Sequence, residues 1–202
     1  SFFDTLFGGG AEREAADKNR ALYADYLAKG NTALDSGLNN SLGALGKAGD
    51  IYGNLQSKYG AGTGLYLDAL GVNGADKAQA AQSAFTTSPG NDAAIKAGLD
   101  TLNRRRASAG MLDSGNADLD ALTYGQNLQN QQYNGWLDRL GGLVSPEVAA
   151  AGGAAGNQTN IANLYQGDAT NRIGLQGNYT SGNVGANNYE AAGASAGAKN
   201  LL

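Results

Sequence analysis

The chain contains neither cysteine nor histidine. Without thiols there is no disulfide scaffold, no thiolate metal ligand and no cysteine nucleophile, and without imidazole there is no histidine base and no zinc-type His site. Chemistry would have to rest on carboxylates, Lys, Tyr or Ser. Glutamate occurs at Glu12, Glu14, Glu147 and Glu190 only, and none has the apolar, aromatic-flanked setting that raises a carboxyl pKa toward general-acid use. The reading is therefore a non-enzyme, with no catalytic residue, no cofactor and no metal ligand. Proline is nearly absent, at Pro89 and Pro146, and aromatic residues make up only 7% of the chain. Much of the 42% hydrophobic content is alanine, which buries little area per side chain, so the expected core is thin.

Long apolar runs are missing too. Nothing reaches the roughly 18 consecutive apolar residues of a spanning helix, and Ser1-Phe2-Phe3-Asp4 lacks the basic and then apolar order of a secretory signal. The expectation is a chain made as a soluble protein that meets membranes only through amphipathic faces. Fourteen Lys and Arg stand against 18 Asp and Glu, for a formal charge of −4. The global basic signature of a phosphate-gripping nucleic-acid binder is therefore absent, and DNA, if it passes nearby, is not held sequence-specifically.

What the chain does have is glycine, 32 of 202 residues. No Gly-X-Y period suggests collagen, and Gly and Pro together fall short of low-complexity disorder. Each glycine inside a helix costs about 0.5–1 kcal/mol relative to alanine, so helices this rich in glycine need neighbours. Small residues also let helix backbones approach closely. A lone chain should be marginal and an oligomer stable.

Along the chain the pattern is helical. Residues 11–29 carry strong helix formers, early acids and Lys29 late, with Gly30 as the expected stop. Leu34, Leu38, Leu42, Leu45, Tyr52, Leu55 and Tyr59 then recur at threes, fours and one seven, which makes one apolar stripe. Gly60-Ala61-Gly62 reads as a break, and residues 71–74 as a turn after a short helix. An Ala- and Gln-rich helix ends at Phe85, and Ser88 is placed to cap a helix that begins at Pro89. That helix carries Ile95, Leu99 and Leu102 and stops at Gly110. A longer one, near residues 116–140, carries Leu119, Leu122, Leu128, Trp136, Leu137 and Leu140, and the two read as a helical hairpin. After Pro146 an Ala/Gly stretch leads to Ile161, Leu164, Tyr165, Asp168, Arg172, Leu175 and Tyr179 at helical spacing, with Asp168 and Arg172 set to pair. The segment after Thr180 is rich in Gly, Asn and Ala, and is expected to order only on assembly.

Three segments follow from this: an apolar N-terminal anchor and glycine hinge at 1–10, a helical assembly domain at 11–143, and a Gly/Ala/Asn-rich C-terminal segment at 144–202. In the first, Phe2, Phe3, Leu6 and Phe7 form an apolar face before Gly8-Gly9-Gly10. It reads either as an anchor for a partner or a lipid interface, or as packing within the protein's own assembly. Arg104, Arg105 and Arg106 invite a phosphate-binding reading. Successive helical positions point about 100° apart, however, so the competing reading is pairing with Asp100, Asp113 or Asp118, or with helix C-terminal carbonyls.

The block 65–143 carries a resemblance. In order it has LGVNG at Leu70–Gly74, an Ala/Gln helix ending in Phe85, SPG at Ser88–Gly90, GLDTLNRRRASAGMLDSGN at Gly98–Asn116, and LTYGQNLQNQQYNGWLDRLGGL from Leu122. It resembles a block of the DNA-transfer, or ejection, proteins inside virions of short-tailed bacteriophages. The resemblance implies an all-α protein of extended amphipathic helices and helical hairpins, packed in a homo-oligomeric ring or tube. It implies a place in the portal and tail region or the capsid interior of a virion, beside portal, tail and other ejection proteins. After ejection it implies the host cell envelope, with a conduit for the genome at the host outer membrane. A static tail or portal-lumen protein that stays in the particle is the alternative. Arg104, Arg105, Arg106, Gly110, Ser114, Gly115, Tyr124, Gly125, Tyr133, Trp136 and Arg139 are the motif positions, with implied roles in helix termination, turns and interhelix packing.

Overall fold

A computed structural model describes residues 9–110 and 117–199. Among these residues there is no strand, and five helices account for nearly all of them: α1 (Gly10–Ala69), α2 (Ala75–Thr86), α3 (Pro89–Ser108), α4 (Ala117–Gly141) and α5 (Val144–Lys199). The expected all-α class is what is found. The helices group into two compact units, one of Ser1–Gly49 with Gly156–Leu202 and one of Asp50–Ala155.

Helix ends follow local chemistry. At the end of α1 the Gly71 amide donates to the Asp68 carbonyl at 2.9 Å and the Val72 amide to the Leu67 carbonyl at 3.1 Å. This 5→2 and 6→1 pair needs a left-handed residue, and Gly71 supplies it at φ 80°. Gly110, at φ 70°, follows the end of α3, with its amide donating to the Ala107 carbonyl at 3.2 Å. Pro89 opens α3 at its first position as expected, but Ser88 makes no side-chain cap. Its hydroxyl instead donates to the Phe85 carbonyl at 2.7 Å and closes α2.

Two expectations about glycine are overturned. Gly30 does not stop a helix and Gly60–Gly62 do not break one, because α1 runs through both. The reason is packing: a Cβ on Gly30 would lie 2.6 Å from Leu175 Cδ2, one on Gly60 3.2 Å from Glu147 Oε1, and one on Gly62 would collide with Leu143. Gly30 and Gly60 receive side chains from α5, and Gly62 receives one from the turn between α4 and α5, so the helix gains contact where it loses propensity. The segment after Thr180 is likewise helical as far as Lys199. There Gly182 and Gly193 receive Tyr23 and Glu12.

In the first unit, α1 and α5 lie antiparallel, with Glu12, Tyr23 and Gly30 facing Gly193, Gly182 and Leu175 respectively. Ala16, Leu175 and Ala186 are its buried apolar residues. In the second unit, Tyr52 fills the space over Gly153, and Tyr66 lies over Gly141. There α3 and α4 form the expected hairpin, with Leu128 and Tyr124 over Gly98. The stripe Leu34, Leu38, Leu42, Leu45, Tyr52, Leu55 and Tyr59 is half-buried along its length. Leu119, Leu122 and Tyr165, expected on apolar faces, are exposed instead.

Glycines with and without an occupant should respond oppositely to an added methyl. Gly182→Ala and Gly153→Ala meet the rings of Tyr23 and Tyr52, and each should destabilise by about 1–3 kcal/mol through overpacking. Gly46→Ala meets open space and should stabilise by about 0.5–1 kcal/mol. Urea unfolding followed by circular dichroism checks both signs.

Candidate functional site

The features that organise this protein are seams between helices, and the seam of the first unit combines glycine holes with a few polar clamps. In the first unit Arg172 reaches in two directions. Its Nε donates to Asp168, one turn back on α5, at 2.7 Å, and an Nη donates across the seam to Asp35 of α1 at 2.6 Å. Hydrogen bonding to Asp168, then to Asp35, pushes the Arg172 guanidinium pKa up. Arg20 forms the equivalent clamp near the other end. It donates to the Asn187 amide oxygen at 2.7 Å and to Glu190 of α5, and to Asp17 of its own helix at 2.7 Å. Glu190 is the largest cause of its raised pKa. Both arginine side chains are about one-third exposed, so their value lies more in fixing register than in net stability.

Asn157 is the third polar element, and a buried one, 6% exposed. Its side-chain amide donates to the Leu45 carbonyl at 2.9 Å and sits 3.1 Å from where a Cβ on Gly49 would be. A buried amide satisfied by one backbone carbonyl resists a sliding helix, because any shift leaves it unpaired.

The second unit is held by aromatic packing. Phe85, only 3% exposed, meets Tyr133 edge-on with ring centroids 5.1 Å apart, and Trp136 with centroids 5.4 Å apart. Tyr133 and Trp136 are themselves 5.7 Å apart. A residue four positions before Pro89 thus anchors α2 on α4, with both rings of α4 supplied by one face at i and i+3.

The motif positions scatter around this cluster. Tyr133 and Trp136 belong to it, and Tyr124 packs in the α3–α4 hairpin. Gly125 faces open space, while Arg139 Nη1 lies 3.7 Å from the Cβ position of Gly135. Arg105 and Arg106 occupy the last turn of α3, where cations meet the negative end of the helix dipole. Arg104 donates to the Thr101 hydroxyl at 3.2 Å. Among the described residues no carboxylate lies within ion-pair distance of the three arginines, and Arg106 Nη2 is buried without a hydrogen-bond partner. Asp113, Ser114, Gly115, Phe2, Phe3, Leu6 and Phe7 lie outside the described residues.

Sequence reading found Asp168–Arg172 but missed Asp35, Arg20, Glu190 and Asn157. Asp35 and Arg172 are 137 positions apart, and only the antiparallel register brings them together. Among the described residues no group of carboxylates is arranged to hold a metal ion. No described helix is long and apolar enough to cross a membrane. Comparison with protein-family models, with curated proteins and with solved structures gives no match for this chain.

Phe85→Ala should destabilise by about 3–5 kcal/mol, as for other buried aromatic truncations. Trp136 is the sole tryptophan, so the same variant should red-shift the emission maximum. An unshifted spectrum would show that the rings do not pack.

Proposed function

We propose that this protein is a non-enzymatic component of a bacteriophage particle that works in many copies, as a homo-oligomeric helical ring or tube helping to conduct the genome across the host cell envelope. The ordered block between Leu65 and Leu143 supports the phage setting. The observation that carries the multi-copy reading is the mismatch between what the chain buries and what it leaves out. Among the described residues the buried apolar set is four alanines with Phe85 and Leu175, while Leu22, Ile51, Leu119, Val148 and Ile173 are more than half exposed. Ile173 reaches 74% exposure. Scattered exposed leucines are ordinary, but a core this small offsets little of the conformational entropy of ordering long helices. Subunit contacts supply the remainder.

Delivery through a narrow portal fits the same economy. Helices held by small contacts and a few clamps part at lower cost than a large hydrophobic core, and re-form when copies meet. The partners are other virion proteins of the portal and tail, then the host outer membrane, with DNA passing through without sequence-specific contact. Neutral Asn and Ser side chains and a net charge of −4 favour sliding over gripping.

The test is protein analysis of purified particles before and after genome release. Loss of this chain with the DNA is the expected result. Full retention in emptied particles would assign it instead to a static tail or portal-lumen role.

A further inference from the structure

We propose that the open face of the α1–α5 pair in the Ser1–Gly49/Gly156–Leu202 unit docks a second copy of this chain, the Leu22–Tyr26 ridge of each copy lying on the glycine wall of the other. The proposal rests on the multi-copy reading above and names one surface that would serve it, as a two-fold contact within a larger assembly.

A groove runs along this face in three adjoining stretches. The first, about 670 Å³, lies between Leu22 and Tyr26 on one side and Ser181 and Gly185 on the other. The second, about 500 Å³, shares Tyr26 and Asn178 with it and is walled by Gly174. The third, about 340 Å³, continues past Ala33 and Leu34 to Gly37 and Gly167. The two walls differ in kind. The α1 wall carries Leu22, 66% exposed, and Tyr26, 52% exposed. The α5 wall carries Gly167, Gly174 and Gly185, and a Cβ built on any of these three meets nothing within 4 Å. Steps of 7 and 11 residues bring all three within about 20° of one line along a helix.

Inside the chain the packing habit is consistent: Tyr23 enters at Gly182 and Leu175 at Gly30. On the open face there are ridges with no hole to enter and holes with nothing in them. A surface that carries both, in the same arrangement, is another copy of itself, and two-fold pairing of identical patches is the commonest form of self-assembly. Charge agrees. Of the groove-lining residues only Asp168 carries a formal charge at neutral pH, and it is engaged by Arg172 at 2.7 Å. Two chains of net charge −4 can therefore meet here without opposing like charges. The amide rim of Asn163, Asn171 and Asn178 argues against lipid as the occupant, since hydrocarbon leaves such groups unpaired. The strip is about 33 Å long over residues 19–41 and about 20 Å wide as two helices side by side. That footprint of about 660 Å² falls within the roughly 600–1,000 Å² per partner of a standard specific interface.

The experiment is sedimentation velocity on the full chain over a wide concentration range, comparing wild type with Gly174→Gln/Gly185→Gln and with Gly46→Gln as a filled glycine off the groove. Both fillings face open space, so the helicity of the dissociated chain at low concentration should hold or improve. Self-association of the double variant should weaken at least tenfold, with Gly46→Gln like wild type. Leu22→Gln probes the other wall and should weaken association similarly, and it decides the matter should the double variant lose helicity. A wild type that stays monomeric at every concentration overturns the proposal. So do variants that associate as tightly as wild type, and so does a double variant that loses flotation with anionic lipid vesicles while keeping self-association. Wild-type association in the variants would sink this surface alone, whereas the particle analysis above tests the delivery role separately.

Discussion

A glycine in the middle of a helix gives up propensity, and the loss is recovered only where the missing Cβ lets a facing side chain come close. Gly30, Gly98, Gly141, Gly153, Gly182 and Gly193 all sit under a Leu, Tyr or Glu from another helix, and Gly62 sits under Leu143 of the α4–α5 turn. α5, whose only leucines are Leu164 and Leu175, still pairs with α1 because these positions turn backbone into contact surface. Register follows, since Tyr23 fits at Gly182 and a slide by one residue would drive its ring against a neighbour with a Cβ. Arg20, Arg172 and Asn157 add polar checks on the same register.

Helical character and most turns are legible in the residues. The stripe from Leu34 to Tyr59, the turn at Gly71–Gly74, the start at Pro89 and the stop at Gly110 all follow from spacing and from familiar terminating residues. The misreadings share one cause. Gly30, Gly60 and Gly62 carry the same local signal as Gly71, and local signal cannot tell a glycine that ends a helix from one that admits a side chain from far along the chain. The segment after Thr180 misled for the same reason, because its partners Tyr23 and Arg20 lie near the opposite end of the sequence. Of the candidate residues, Tyr133 and Trp136 declared themselves by aromaticity, whereas Phe85 became their partner only in the fold.

The proposed role uses the same constraint twice. Glycine holes filled within the chain hold the helices together with a small core, and glycine holes left open offer the same fit to a neighbour. A protein assembled by such shallow, repeated fits can be stored, moved and rebuilt without chemistry of its own, as the proposed delivery function requires.

The most direct measurement is a proton nuclear Overhauser spectrum of the full chain with labelled leucine methyls and glycine α-carbons. Strong cross-peaks are expected between the Leu175 methyls and the Gly30 α-protons, because a Cβ on Gly30 would lie 2.6 Å from Leu175 Cδ2. Leu175 methyls that report a different set of neighbours, with no cross-peak to Gly30, would contradict this packing.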